Sequence, residues 1–304
     1  MSSSSITLAG GTSRRSVYLR TVAAVLLADL LFSVMDMELK FLAAHYPAMQ
    51  VAALRGLTSL PLVFLYVLWR RALPGLFKVR WPLHLLRGVL GIVMLFLFSY
   101  GLRTLPLSEA YAIFFVAPLM IAALSVPVLK EKVDASRWRA IGFGFLGVLV
   151  ILRPGFNHSF TMAGFAILAT ALCYAVSSLT VRIVAKTDSV ESMVFWLMFS
   201  LALGAGVLAS PGWVPVRADD TMTLLGLAAT GFVAQLLITY AYQHGEASAM
   251  APFDYSALAW CAAIDWIVWH TLPDGWTWAG AAVIVVSGIY LVRRESMTFD
   301  SEHP

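Results

Sequence analysis

Charge is the scarcest commodity in this sequence. Asp, Glu, Lys and Arg together make up 12% of its 304 residues, about half the ~25% typical of a soluble domain. Only two cysteines are present, Cys173 and Cys261, and both fall inside apolar runs. That excludes a disulfide framework and a thiolate metal site. The six histidines, His45, His84, His158, His244, His270 and His303, are scattered over loops and segment ends. They form no HExxH, GxSx or paired-aspartate constellation, which argues against a membrane-embedded enzyme. No Walker motif appears, so ATP is not expected to drive the protein directly, and no cofactor or metal is implied. The formal charge of +4 does not mark a nucleic-acid binder, because the basic residues lie mostly between apolar runs.

What is abundant is hydrophobic: 60% of the chain, with a mean hydropathy of +0.81. Apolar runs of helical length occur near 19–43, 48–69, 83–103, 107–129, 138–153, 162–185, 190–209, 221–243, 249–270 and 276–292. Each is about long enough for a hydrocarbon core of ~30 Å. Backbone polar groups cannot go unpaired in lipid, so spans are helices or closed barrels, and long unbroken runs rule out the alternating barrel pattern. The chain is therefore expected to be an all-α polytopic membrane protein with ten transmembrane helices. The first run follows a polar, basic start and carries Asp29 without a clean cleavage site, so it reads as an uncleaved helix. With the N-terminus inside, fifteen Lys and Arg fall on the inner side and only Arg103, Arg153 and Arg217 on the outer. Both termini are thus expected to be cytoplasmic. Lys40, Arg55 and Arg87 remain within spans.

Sliding the chain against itself by 140 residues aligns Gly91 with Gly231, Tyr100 with Tyr240, Ser108 with Ser248, Asp134 with Asp274, Trp138 with Trp278 and Arg153 with Arg293. A two-residue adjustment brings Lys40 onto Arg182. The expected division is 1–153 and 154–304, five helices each. Five is odd, so the second half enters the membrane upside down, and inverted repeats are characteristic of secondary transporters with a site near the midplane.

Three stretches carry a family likeness: "LPLSEAYAIFFVAPLMIAALSVPVLKEKVDASRWRAIGFGFLGVLVILRPG" (105–155), "AMAPFDYSALAWCAAIDWIVWHTLPDGWTWAGAAVIVVSGIYLVRRE" (249–295) and "DMELKFLAAHYPAMQVAALRG" (36–56). With Arg55, Glu109, Pro118, Glu131, Pro252 and Tyr255 in register, the chain resembles the EamA-type drug/metabolite transporter superfamily over residues 20–295. The resemblance implies ten helices in two inverted EamA repeats and transport of small metabolites: amino acids, aromatic ones included, or cofactors such as riboflavin or S-adenosylmethionine. The chain departs from the pattern at His270-Thr271, where Gly-Glu is frequent, and at Asp265, where small residues are usual.

Charges inside a span default to a functional hypothesis. At 100° per residue, Asp29, Ser33, Asp36 and Lys40 fall on one stripe of the first helix. Asp36 and Lys40 are spaced i,i+4 and can pair; Arg55, at similar depth, is the other residue that can hold Asp36. The pair is either structural or a substrate or proton site. Glu38 lies off the stripe and is expected to snorkel to the outer surface. The fourth helix offers Tyr111, Phe114, Phe115 and Pro118, with Pro118 loosening it near mid-membrane. The ninth offers Pro252, Phe253, Asp254, Tyr255 and Trp260, and Tyr100 lies on the third. These aromatics form either a cage for an organic cation or ring, or ordinary packing. Glu109 is expected near Arg103, as a loop pair or a transport residue. Asp265 and His270 are titratable and expected near the outer end of the ninth helix, either coupling or merely wetted. Tryptophans at span ends, Trp69, Trp81, Trp138, Trp213, Trp276 and Trp278, read as an interfacial belt. The glycines of "GFGFLG" (142–147) read as a close helix contact.

The expected function is secondary transport of a small metabolite across a bacterial inner membrane, by a monomer or weak dimer. An amino acid exporter is the first reading, a cofactor-like or nucleoside-like substrate the second. Candidate substrate residues are Asp36, Lys40, Arg55, Tyr100, Tyr111, Phe115, Asp254, Tyr255 and Trp260, and candidate proton-coupling residues are Asp36, Glu109 and Asp265.

Overall fold

The computed structural model describes residues 7–129, 135–152, 162–244 and 253–302. Among the described residues the chain is helical throughout, without a strand, and the helices follow the ten apolar runs. They are α1 (Thr7–His45), α2 (Ala48–Trp69), α3 (Trp81–Leu102), α4 (Leu107–Phe114 and Ala117–Leu129), α5 (Ala135–Leu152), α6 (Met162–Val184), α7 (Val190–Phe199 with its extension to Ala209), α8 (Thr221–His244), α9 (Ser256–Ile264 with its extension to Trp269) and α10 (Gly275–Glu302). The chain is a ten-helix polytopic membrane protein built as two inverted five-helix repeats. Glu131, Pro252 and the 153–160 joint lie outside the described residues.

Proline sets several boundaries. Pro47 and Pro106 immediately precede α2 and α4, and Pro82 occupies the first turn of α3, where a missing N–H costs nothing. Pro118 acts as expected. It cannot donate to the Phe114 carbonyl, and α4 breaks at Phe115–Val116 immediately before it, placing an interruption in mid-span. Two helices instead widen into π turns, Ser200–Ala205 in α7 and Asp265–Trp269 in α9.

Inverted symmetry shows in the packing. α1 lies along α8, and its equivalent pair, α6 with α3, packs in the same way, while α5 meets α10. Close approaches use glycine. A Cβ at Gly56 would overlap the backbone of Ala202 in the α7 π turn, and one at Gly147 would lie 2.8 Å from the Gly280 carbonyl oxygen. The 142–147 glycines thus include a close α5–α10 contact.

The same symmetry produces two clamps, one at each membrane face. On the face expected to be outer, the α1–α2 corner holds the start of α8. Tyr46 donates to Asp220 at 2.5 Å, His45 Nδ1 lies 3.1 Å from the same carboxylate, and Gln50 donates to the Val214 carbonyl at 2.6 Å. On the opposite face, the α6–α7 corner holds the start of α3. Asp188 accepts from the Arg80 backbone N–H at 3.0 Å and lies 2.9 Å from His84 Nε2. Shifted by 142, Tyr46 falls on Asp188, and Asp220 less 140 falls on Arg80. The two clamps are therefore one device used twice, with the carboxylate on opposite partners.

The tryptophan belt lies on the surface, with Trp69 77% and Trp276 62% exposed. Tyr100, expected in the site, is 40% exposed, and its repeat equivalent Tyr240 is 38% exposed. Both face outward from the bundle, so Tyr100 does not line the interior.

Candidate functional site

The polar stripe of α1 points into the bundle. Asp29, Ser33 and Asp36 are buried, and each turn of the stripe meets a group on α4 or α9. The Ser256 hydroxyl donates to Asp29 at 2.8 Å. Ser33 lies 3.5 Å from the Cys261 thiol. Asp36 accepts from the Tyr111 hydroxyl at 2.5 Å. Lys40 Nζ lies 3.7 Å from Asp265 and 4.3 Å from the centre of the Trp269 ring. The result is a polar column along the α1–α4–α9 interface. Three-way packing at i,i+3/i+4 spacing brings these side chains together, because the stripe matches the helical repeat.

Of the two partners expected for Asp36, Lys40 pairs instead with Asp265 among the described residues. An i,i+4 pair is worth only a few tenths of a kcal/mol, whereas a buried carboxylate gains more from a direct donor. Tyr111 supplies that donor, and Asp265 draws Lys40 across to α9. Arg55 remains within electrostatic reach of Asp36 and Tyr111.

Asp265 is not a wetted surface group. It is fully buried and caps α4 from another helix. It accepts from the backbone N–H groups of Leu107 and Ser108 at 3.1 and 2.8 Å and from the Ser108 hydroxyl at 2.5 Å. Pro106, at the local cap position, offers no side-chain acceptor, so Asp265 fills that role and meets the positive end of the helix. The carboxylate at position 265 is thereby engaged by the start of α4. His270 ends the α9 π turn in a left-handed conformation, φ 53°, and is exposed.

One further expectation is corrected. Glu38 does not snorkel. It is 9% exposed and accepts from Thr230 of α8 at 2.9 Å. Arg103 is held elsewhere. It donates to the carbonyls of Ala43 and Tyr46 at 3.0 and 2.6 Å, while Glu109 acts electrostatically on Lys40.

The aromatic faces of the fourth and ninth helices do meet. Phe115 and Tyr255 lie 5.0 Å apart, and Phe115 lies 5.8 Å from Tyr111. Phe115 and Tyr255 are equivalent at the 140-residue shift, so the pseudo-two-fold passes between them. Asp254 interacts electrostatically with Asp29. The Tyr255 hydroxyl and the Trp260 indole N–H are buried without a hydrogen-bond partner among the described residues. The Tyr255 hydroxyl lies against Gly288 of α10, where a Cβ would overlap it. Among the described residues no cluster suited to a metal occurs.

Ser256, Cys261, Ser108, Tyr46 and Asp220 escaped sequence reasoning. Small polar residues in apolar runs carry no local signal. The repeat register, which superposes Tyr46 on Asp188, was the one available pointer to the clamps.

A ten-helix inverted-repeat bundle with a buried polar column between its halves defines a membrane transporter. The EamA-like transporter family model matches residues 19–153 and 161–294, and the chain belongs to that family. Similar proteins include the pseudopaline exporter CntI of Pseudomonas aeruginosa, 26% identical over 90% of this chain and 95% of the relative. A riboflavin transporter of Vibrio cholerae is 28% identical over 90% and 92%, and an S-adenosylmethionine uptake transporter of Rickettsia prowazekii 25% identical over 94% and 97%. A solved crystal structure shares the fold with a TM-score of 0.62 at 18% identity, covering 91% of this chain and 97% of that one.

Proposed function

We propose that this transporter exports an amino acid, aromatic ones included, across a bacterial inner membrane by alternating access, with both termini cytoplasmic and one repeat on either side of residue 153. The observation that carries the reading is the Asp36–Tyr111 pair beside the Phe115–Tyr255 aromatic contact. An ammonium group suits a carboxylate-lined column containing Asp29 and Asp36, and a substrate ring would pack against Tyr111, Phe115 and Tyr255 once the α4–α9 contact parts during alternating access. The donors of Tyr255 and Trp260 supply polar contacts. Lys40 and Asp265 close the column toward the outer face, because each is engaged by the other and by α4. Asp36 is the coupling carboxylate of this reading, since it faces the column while Asp265 is committed to the α4 cap. Monomer or weak dimer is the expected state.

A second reading, a cofactor-like substrate, is favoured by the relatives that carry riboflavin and S-adenosylmethionine. Purified protein in liposomes separates the two. Counterflow of labelled phenylalanine, with none of riboflavin or S-adenosylmethionine, supports the first. The reverse pattern supports the second.

A further inference from the structure

The Arg55 guanidinium raises a separate question. Among the described residues it has no hydrogen bond and no ion pair within contact distance, although Asp36 acts on it electrostatically. An arginine within a span is costly unless something else uses it. It lines a cavity of about 90 Å³ between α1, α2, α7 and α8, on the side of the bundle away from the α4–α9 aromatics.

The polar groups of this cavity are ordered in depth. Ser59 follows Arg55 by one turn of α2. Opposite them, Gln235 and Thr239 stand one turn apart on α8, and Thr239 donates to the Gln235 carbonyl at 2.7 Å. Two polar ladders thus face each other, with apolar walls from Phe232 and Met198. Glu191 stands at the mouth, where Arg70 lies 3.4 Å away and offsets its charge. The deep end is cationic and the walls are apolar.

We infer that this cavity is a carboxylate subsite: Arg55, with Ser59, Gln235 and Thr239, receives the carboxylate of a small amphipathic molecule from the face opposite the Tyr46–Asp220 clamp. A guanidinium presents parallel N–H groups that match a carboxylate in bidentate fashion. Ser59 and the Gln235 amide can donate to the anion on its way in without trapping it by charge, while Thr239, whose hydroxyl donates to the Gln235 carbonyl, lines the path. Arg55 thus couples this cavity electrostatically to Asp36. The inference rests on the transport reading above and deepens it.

The test uses cysteine labelling, which needs no flux, so its failure is separable from failure of that reading. Thr239→Cys is made in full-length protein carrying Cys173→Ser, with the fully buried Cys261 retained, and reconstituted in nanodiscs open to both faces. An anionic methanethiosulfonate sulfonate is expected to label Cys at 239 at least tenfold faster than the trimethylammonium reagent. Benzoate is expected to slow labelling, and benzyl alcohol of the same shape is not. Arg55→Gln is expected to abolish the anion preference. Should that variant misfold, the reagent ratio and benzoate protection in the Arg55 protein decide alone. Equal rates for both reagents, a faster cationic reagent, or equal effects of benzoate and benzyl alcohol overturn the assignment.

Discussion

The Tyr111 hydroxyl on α4 donates to the Asp36 carboxylate on α1 at 2.5 Å, joining two helices of the first repeat at the depth where α4 is broken. A hydrogen bond to a charged group contributes ~1.5–3 kcal/mol. Tyr111→Phe is therefore expected to weaken substrate binding or transport by roughly tenfold to a hundredfold, with normal membrane insertion. Apparent affinity in a counterflow assay checks it. Unchanged affinity would reduce the pair to packing.

Lys40 and Asp265 are not equal partners. Lys40→Met leaves Asp265 with its α4 donors, whereas Asp265→Ala orphans two backbone N–H groups and a lysine together. Breaking a buried pair costs ~3–5 kcal/mol. Melting of the purified protein is expected to fall more for Asp265→Ala than for Lys40→Met. The reverse order would mean that the cap contributes little.

The clamp at Asp188 has a defined acid limit. Burial pushes the Asp188 carboxyl up, but hydrogen bonds from Thr187, the Arg80 N–H and His84 outweigh it and hold the group below its ordinary value of 3.8. A depressed folded value gives stability that is present above the unfolded value and lost as pH falls through the folded one. The Asp188 contribution is thus complete at neutral pH and declines only below about pH 4. Asp188→Asn is expected to remove it, flattening the acid limb of the melting curve. An acid limb identical to that of the unmodified protein contradicts this.

Phe115→Ala and Tyr255→Ala each remove one side of the aromatic contact. An aromatic pair is worth ~0.5–1.5 kcal/mol beyond its buried area, so affinity is expected to fall by roughly 2- to 10-fold. Tyr100→Ala, on the exposed surface, is expected to transport normally. Loss of transport there would return Tyr100 to the interior.

Orientation is checked by reporters fused after Arg15 and Glu295, both expected to read cytoplasmic. An outer signal from either would make the number of crossings odd and remove the inverted relation.

Much of the fold was legible because lipid imposes it. Ten apolar runs, the 140-residue register and the α1 stripe follow from composition and period alone. Pairing across helices was not legible. Asp36 and Lys40 are correctly placed on one face, but their partners, Tyr111 and Asp265, lie 75 and 225 residues away, and sequence spacing ranks only local pairs. Asp265 read as either a coupling or a wetted residue because Pro106, which leaves α4 without a local cap, is read separately from α9. Glu38 misled for a related reason. Its stripe faces α8, which the helical wheel of α1 does not show.

The most direct measurement is counterflow of labelled phenylalanine in liposomes containing the unmodified protein, set beside Asp36→Asn reconstituted at equal level and with equal melting temperature. Saturable flux in the first and loss of at least nine-tenths of it in the second are expected. Equal flux in both would contradict the assignment of Asp36 and of the polar column as the transport path.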